Sequence, residues 1–334
     1  MTPSERKPRR ARRAAVAVAV GCAALAAGLA GCGSGSHTTP APSTAAQVVT
    51  GVSTLPGVGR PPVTIGDKNF TEQFVLGELY LLALQAQGYN VSLNRNIGPT
   101  EVSYQAVASG RLSMYPEYLS IWNAAIAGVQ HPPQDAAEAF ITAQSFAHEH
   151  GMVLLTPTPF SDNQALAVTR AYARANDLHT VQDLRRVATE LTLGAPPEFQ
   201  QSPTGLPQVE QVYGFTPAAV KSLDIGAQYA ALDKGVVQAA YVTTTDAQLS
   251  GHQYLLLKDP KQVFGVGNVV PVVSAQVQVA EGPAFTSTID SVSALLTQRV
   301  IRQLNADVDI SGEDPAAVAK QFLEEHGLLP ASPS

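Results

Sequence analysis

The chain has 334 residues, 45% of them apolar, enough for two ordinary domains with a sizeable core. Formal net charge is −6, and setting aside the six basic residues and one acid of residues 1–31 leaves −11. A folded part that acidic lacks the basic surface that nucleic-acid binding needs, which excludes that class of function.

In chain order, the first element is an address rather than part of the fold. "RKPRRARR" is a basic start, and "AAVAVAVGCAALAAGLAG" then runs apolar for 18 residues into Cys32. The pattern is that of a secretory signal over residues 1–31; a membrane-spanning anchor is the alternative at this length. "LAGC" at residues 29–32 resembles the bacterial lipobox, in which a cysteine after small residues is lipidated and becomes the new N-terminus. The resemblance implies lipidation at Cys32 and an extracytoplasmic protein anchored to the cell membrane by its acyl chains. Cys22 would leave with the signal, so the exported part would hold no thiol or disulfide and would depend on packing. Residues 32–61 are rich in Gly, Ser, Thr and Pro and are expected to be a flexible tether.

From Pro62 onward, short apolar strands alternate with helical stretches. "PVTIG" reads as a strand and "NFTEQFVLGELYLLALQAQG" as a helix, with Phe74, Val75, Leu79, Leu82 and Ala86 on one stripe and Gly88 as its stop. "YNVSLNR" is a strand, and "TEVSYQAVASG" a helix with Thr100 as N-cap and Gly110 after its end. "RLSMYPEY" is a strand expected to end at Pro116. "QDAAEAFITAQSFAHEHG" is a helix and "MVLLTPT" a strand. A second series follows: "QALAVTR", helix "TVQDLRRVATEL", strand "LTLGAP", helix "GLPQVEQVYG", strand "AVKSLDI", helix "AQYAALDKG" and strand "VQAAYVT". After "NVVPVVS" the end is mostly helical, from about Phe285 to Leu328. Strands separated by helices imply parallel α/β sheets. Two series with closing helices imply two lobes: residues 62–160 with 268–328, and residues 161–267.

Between strand and helix, "VTIGDKNFTEQ" places a polar turn and Lys68 at a helix N-terminus, where anions are well received. Together with "ELYLLALQAQGY" and "NIGPTEVSYQAVASGRLSMYPEY", this segment resembles the glycine betaine/choline/carnitine-binding proteins of osmoprotectant ABC transporters. That family shows an "IGSKNFTEQ"-like start and "YPEYTGT" after a "GEIDL" strand. "LTLGAPPEF", "LDIGAQYAALDKG" and "TTTDAQ" are similar to later family segments, in the same order. The resemblance covers roughly residues 62–328.

The resemblance implies a two-lobed, type II periplasmic-binding-protein fold of the α/β class, with a hinge and an interlobe ligand cleft. It implies a monomer that binds a small quaternary amine and delivers it to permease and ATPase subunits. A trimethylammonium group has no N–H to donate, so it is held by the negative faces of aromatic rings. Carried over by position, Tyr118 and Tyr229 are cage walls, Lys68 is the partner of a ligand carboxylate, and Gln73 lines the cleft. Tyr115, on the strand itself, faces the core. Where the family often has a cage tyrosine this chain has Gln164, where it has a contact threonine Ile121, and near its carboxylate-gripping arginine Ser202. Trp122 and Tyr254 are the aromatics available to compensate. Asp246 reads equally as a cleft residue or a helix cap.

No GxSxG, HExxH, GxxxxGK or clustered Cys/His motif occurs, so no enzyme activity, cofactor or metal site is expected. "HEH" at residues 148–150 closes a helix, where histidine favours the dipole. His252 is expected to be exposed. The alternatives are the same clamp with another small polar or aromatic ligand, or a sensor or scaffold lipoprotein that delivers nothing.

Overall fold

A computed structural model of the protein describes residues 54–129, 133, 135–201, 205–224 and 226–330. The signal, Cys32, most of the tether and Ser202 lie outside these residues. Residues 54–60, expected to belong to the tether, instead form turns against the fold. The Gly57 N–H donates to the Gln87 carbonyl at 2.9 Å, and a Cβ at Gly57 would meet the Tyr89 nitrogen at 2.2 Å. Glycine is what permits this approach.

The first sheet has the order β2-β1-β3-β10-β4. Its strands are β1 (Val63–Gly66), β2 (Val91–Asn94), β3 (Met114–Tyr118), β4 (Met152–Leu154) and β10 (Val269–Ser274). Helices α1 (Thr71–Ala86) and α2 (Thr100–Ala108) make the crossovers of a parallel β1–β2–β3 unit. A short helix α3 (Leu119–Ile121) and α4 (Ala136–Glu149) lead to β4. The second sheet, in the order β7-β6-β8-β5-β9, is built from β5 (Gln164–Thr169), β6 (Thr192–Ala195), β7 (Ala219–Ser222), β8 (Ala239–Thr243) and β9 (Tyr254–Leu256). Its helices are α5 (Arg170–Asn176), α6 (Pro197–Gln201), α7 (Leu206–Tyr213) and α8 (Gln228–Asp233). The chain closes with α9 (Ala275–Glu281), α10 (Pro283–Leu295), α11 (Gln298–Asp309) and α12 (Pro315–Glu325) on the first sheet's side.

The chain passes between the sheets twice, from β4 to β5 and from β9 to β10. The two passing segments pair with each other at Ser161 and Asn268. Gly267 lets them touch, since a Cβ there would meet the Asp162 carbonyl at 2.0 Å. The sheets are not wholly parallel: β10 runs antiparallel to β3 and β4, and β5 to β8 and β9. β5 and β10 are the first strands formed after each passage from one sheet to the other.

Each sheet has apolar packing on both faces. Val75, Leu76, Leu79 and Leu84 of α1 meet Val269, Phe285, Ile289 and Leu323 on one face of the first sheet; Tyr115, Leu119, Trp122 and Val272 fill the other. Leu166, Leu193, Val209 and Tyr213 form the larger core of the second sheet, with Ala167, Tyr229, Val237 and Val242 opposite.

Three local expectations are corrected. β3 does not end at Pro116: it pairs with β10 from Met114 to Tyr118, and Pro116 lies opposite Pro271. In an antiparallel strand a residue's N–H and C=O point to the same side. The Pro116 carbonyl accepts from Gln73 Nε2 at 3.2 Å and that of Pro271 from Leu155 N–H at 2.9 Å. Both prolines therefore aim their missing N–H away from the β3–β10 ladder. Thr100 does not cap α2; Pro99 holds that position and the Thr100 hydroxyl is committed to Lys68. The helix expected over "TVQDLRRVATEL" is two 3₁₀ segments, Val181–Arg186 and Ala188–Glu190, started by a Thr180–Asp183 capping box.

Candidate functional site

The turn from β1 into α1 and the end of β3 bring three of the implicated side chains of the first lobe together, Lys68, Gln73 and Tyr118. Lys68 is 7% exposed, and its Nζ lies 2.5 Å from Glu117 Oε1 and 2.8 Å from Thr100 Oγ1. Glu117 is fully buried, so its charge depends on this ammonium and on the Tyr118 N–H, 2.8 Å from the same oxygen. Gln73, also fully buried, accepts from the Lys68 N–H and donates to the Pro116 carbonyl and, at 3.3 Å, to the Tyr118 hydroxyl. Lys68 Nζ stands 5.5 Å from the Tyr118 ring centre and 5.9 Å from that of Tyr115.

In the second lobe the corresponding group forms where β8 ends. Asp246 Oδ2 accepts from the Tyr229 hydroxyl at 2.7 Å, and its Oδ1 from the Thr243 hydroxyl at 2.8 Å. Tyr229 packs on Tyr254, ring centres 4.8 Å apart, and the Tyr254 hydroxyl donates to Asp233. Asp246 begins a 3₁₀ segment (Ala247–Ser250) without capping it through its side chain. Burial raises its pKa above the ordinary aspartate value, opposed by the bonds from Tyr229, Thr243 and Gln228.

Glu72, in the first turn of α1, connects the two groups. The Tyr118 hydroxyl donates to its Oε1 at 2.8 Å, and Asn305 Nδ2 of α11 donates to its Oε2 at 3.1 Å and to the Thr245 carbonyl at 3.0 Å. The Thr245 hydroxyl faces both Glu72 and Asp162 and favours the charged form of each. Asp162 lies in the passing segment before β5, and its Oδ1 is buried without a hydrogen-bond partner. Burial raises the pKa of Glu72. It raises that of Asp162 well above the ordinary value, and the neighbouring Glu72 charge adds to the effect. α11 fastens the junction further: Arg302 Nε and Gln298 Nε2 both donate to the Thr244 carbonyl, at 2.6 and 3.0 Å.

Lys68, Gln73 and Tyr118 thus meet in one network, Tyr229 and Asp246 in another, and Glu72 joins the two. Gln164 stands half-buried at the start of β5, opposite Thr243. Lys68 is not a free partner for a ligand carboxylate, because Glu117 and Thr100 already hold it. Tyr115 is fully buried, as its place on the strand implied. Trp122 does not compensate for a missing wall: it is fully buried and its indole N–H donates to the Ala143 carbonyl. Ile121 and His252 are exposed. His150 stacks on Phe146 at the end of α4, and among the described residues no group of His, Cys, Asp and Glu could hold a metal ion.

Sequence reasoning missed Glu72, Glu117, Asp162, Thr245 and Asn305. Glu117 carried a signal, a carboxylate between aromatics in a strand that must be buried. Asp162 and Asn305 carried none, since only the tertiary fold brings them to Glu72. The arrangement offers tyrosine rings and buried carboxylates, which suits a cation that cannot donate hydrogen bonds.

Residues 61–325 match the family model described as the substrate binding domain of ABC-type glycine betaine transport system. A glycine-betaine-binding protein of Pseudomonas aeruginosa is 34% identical over 278 residues, 79% of this chain and 88% of that protein. The glycine betaine-binding protein YehZ of Escherichia coli is 29% identical over 287 residues, 82% of this chain and 93% of the other. A crystal structure described as a glycine betaine/carnitine/choline ABC transporter superposes with a TM-score of 0.74 at 24% identity, covering 80% of this chain and 99% of that one. That likeness establishes the two-lobed binding-protein fold.

Proposed function

Because this chain belongs to the family of substrate-binding domains of ABC-type glycine betaine transport systems, we propose that it captures a quaternary-ammonium osmoprotectant of the glycine betaine, choline or carnitine type. It holds the ligand between the lobes and delivers it to a permease driven by an ATPase. This is a transport role, not an enzymatic one. The observation that carries the reading is the junction itself, where Tyr118, Tyr229, Glu72, Asp162 and Asp246 are gathered from both lobes. A fixed positive charge placed there is attracted by the carboxylates and needs no hydrogen-bond acceptor.

In the same reading, Cys32 carries the lipid that anchors the protein outside the cytoplasm, and the protein works as a monomer. Residues 62–160 with 268–328 make one lobe and 161–267 the other, hinged at the paired segments around Ser161 and Asn268. A second reading, another small polar or aromatic ligand, is favoured by Gln164 and Ile121 at positions where the family has contact residues, and by the commitment of Lys68 to Glu117. A thermal-shift panel decides between them. Stabilisation by glycine betaine, choline or carnitine above unrelated metabolites supports the first reading, because a ligand of the folded state raises apparent stability. Stabilisation only by a ligand without a quaternary nitrogen supports the second.

A further inference from the structure

We propose that Phe70 supplies the aromatic face that the first lobe presents to a cationic ligand, a role that rests on the reading above. Among the described residues it is the only phenylalanine, tyrosine or tryptophan left exposed, with 40% of its surface accessible. Its ring lies 6.1 Å from that of Tyr118, tilted by 30°. Tyr118, the wall implied by resemblance, is only 5% exposed; Lys68 stands over its ring and its hydroxyl is held by Glu72. Little of its face remains for a ligand.

Phe70 stands where a ligand is expected to arrive. It occupies the turn between β1 and α1, beyond the carboxyl end of a strand, where open α/β sheets place their ligands. Two residues to either side are the buried Lys68 and Glu72. The turn is fixed: the Phe70 N–H donates to the Lys68 carbonyl at 3.1 Å, and the Phe70 carbonyl accepts from the N–H groups of Gln73 and Phe74 at 3.0 and 3.2 Å. The ring therefore projects from a rigid backbone and needs no rearrangement to meet a ligand. A phenyl face attracts a cation without a hydroxyl that must be satisfied, so closure of the lobes over it costs no lost hydrogen bond.

A singly exposed phenylalanine on a surface requires no function, and the test must separate that account from a ring that touches the ligand. The protein and its variants Phe70→Ala, Phe70→Leu and Phe70→Tyr are titrated with glycine betaine and with choline, and with the tert-butyl analogue of whichever binds more tightly. Phe70→Ala and Phe70→Leu are expected to lose roughly 5- to 30-fold in affinity for the quaternary amine. Phe70→Tyr keeps its ring and its affinity, and the ligand-free melting temperatures of all three stay unchanged. Leucine keeps the apolar bulk, so Phe70→Leu narrows the preference for the quaternary amine over the tert-butyl analogue. Unaltered affinity in Phe70→Leu overturns the inference while leaving the proposed function standing. Failure of the unmodified protein to bind either quaternary amine overturns both.

Discussion

Lys68 and Glu117 form a buried ion pair, Nζ to Oε1 2.5 Å, in which the lysine belongs to the turn after β1 and the glutamate to β3. Neither partner has appreciable access to water, so the pair stands or falls together. Replacement of Glu117 by Gln leaves the ammonium buried without its counter-charge. Urea unfolding of Glu117→Gln at neutral pH is expected to show a loss of about 3–5 kcal/mol. A loss within error of zero would mean that Lys68 finds another partner and is available to a ligand after all.

The Tyr118 hydroxyl is both a donor to Glu72 and an acceptor from Gln73. Tyr118→Phe keeps the ring but removes a bond that a buried carboxyl group relies on. Denaturant unfolding of this variant should give a loss of roughly 1–3 kcal/mol. If the hydroxyl were pointing at a ligand instead, the variant would lose affinity and keep its unfolding midpoint.

Asp162 carries a pKa raised by burial and by the nearby Glu72. Glu72, Asp246 and the Thr243 and Thr245 hydroxyls face it, from α1, from the end of β8 and from the segment after it. A carboxyl group whose pKa is higher in the folded than in the unfolded state holds its proton longer when folded. Stability is therefore lost as pH rises above the ordinary aspartate value of 3.8. Asp162→Asn removes this loss. Its unfolding midpoint should exceed that of the unmodified protein at pH 7.5, by a margin that shrinks as the pH is lowered toward 4. A margin that does not change with pH would contradict the raised pKa.

The alternation of strands and helices, the stripe of α1 and the two-series order were legible because each is set by residues close in sequence. Pro116 misled because its effect depends on which way its missing N–H points, and that is decided by the Pro271 strand more than 150 positions away. Thr100 misled because a threonine before a helix is as able to serve a distant lysine as a local cap. The junction was the least legible part: Glu72 and Asn305 are separated by 233 positions, and nothing in either local segment requires the other. Phe70 is only one letter of a motif in the sequence, since its exposure beside a buried tyrosine exists only in the fold.

The proposed anchor at Cys32 is tested apart from the fold. Cys32→Ala should be shed or remain uncleaved, with no acyl label incorporated in cells fed a tagged fatty acid. Normal labelling of that variant would remove the lipoprotein reading without touching the cleft.

A quaternary amine is expected to bind between two lobes that close on it. The most direct measurement is calorimetric titration of the protein with glycine betaine, choline and carnitine, with small-angle scattering on the same samples. Saturable binding of one ligand per chain is expected, accompanied by a fall in the radius of gyration as the lobes close. Absence of heat with all three, together with scattering unchanged at high ligand concentration, would contradict it.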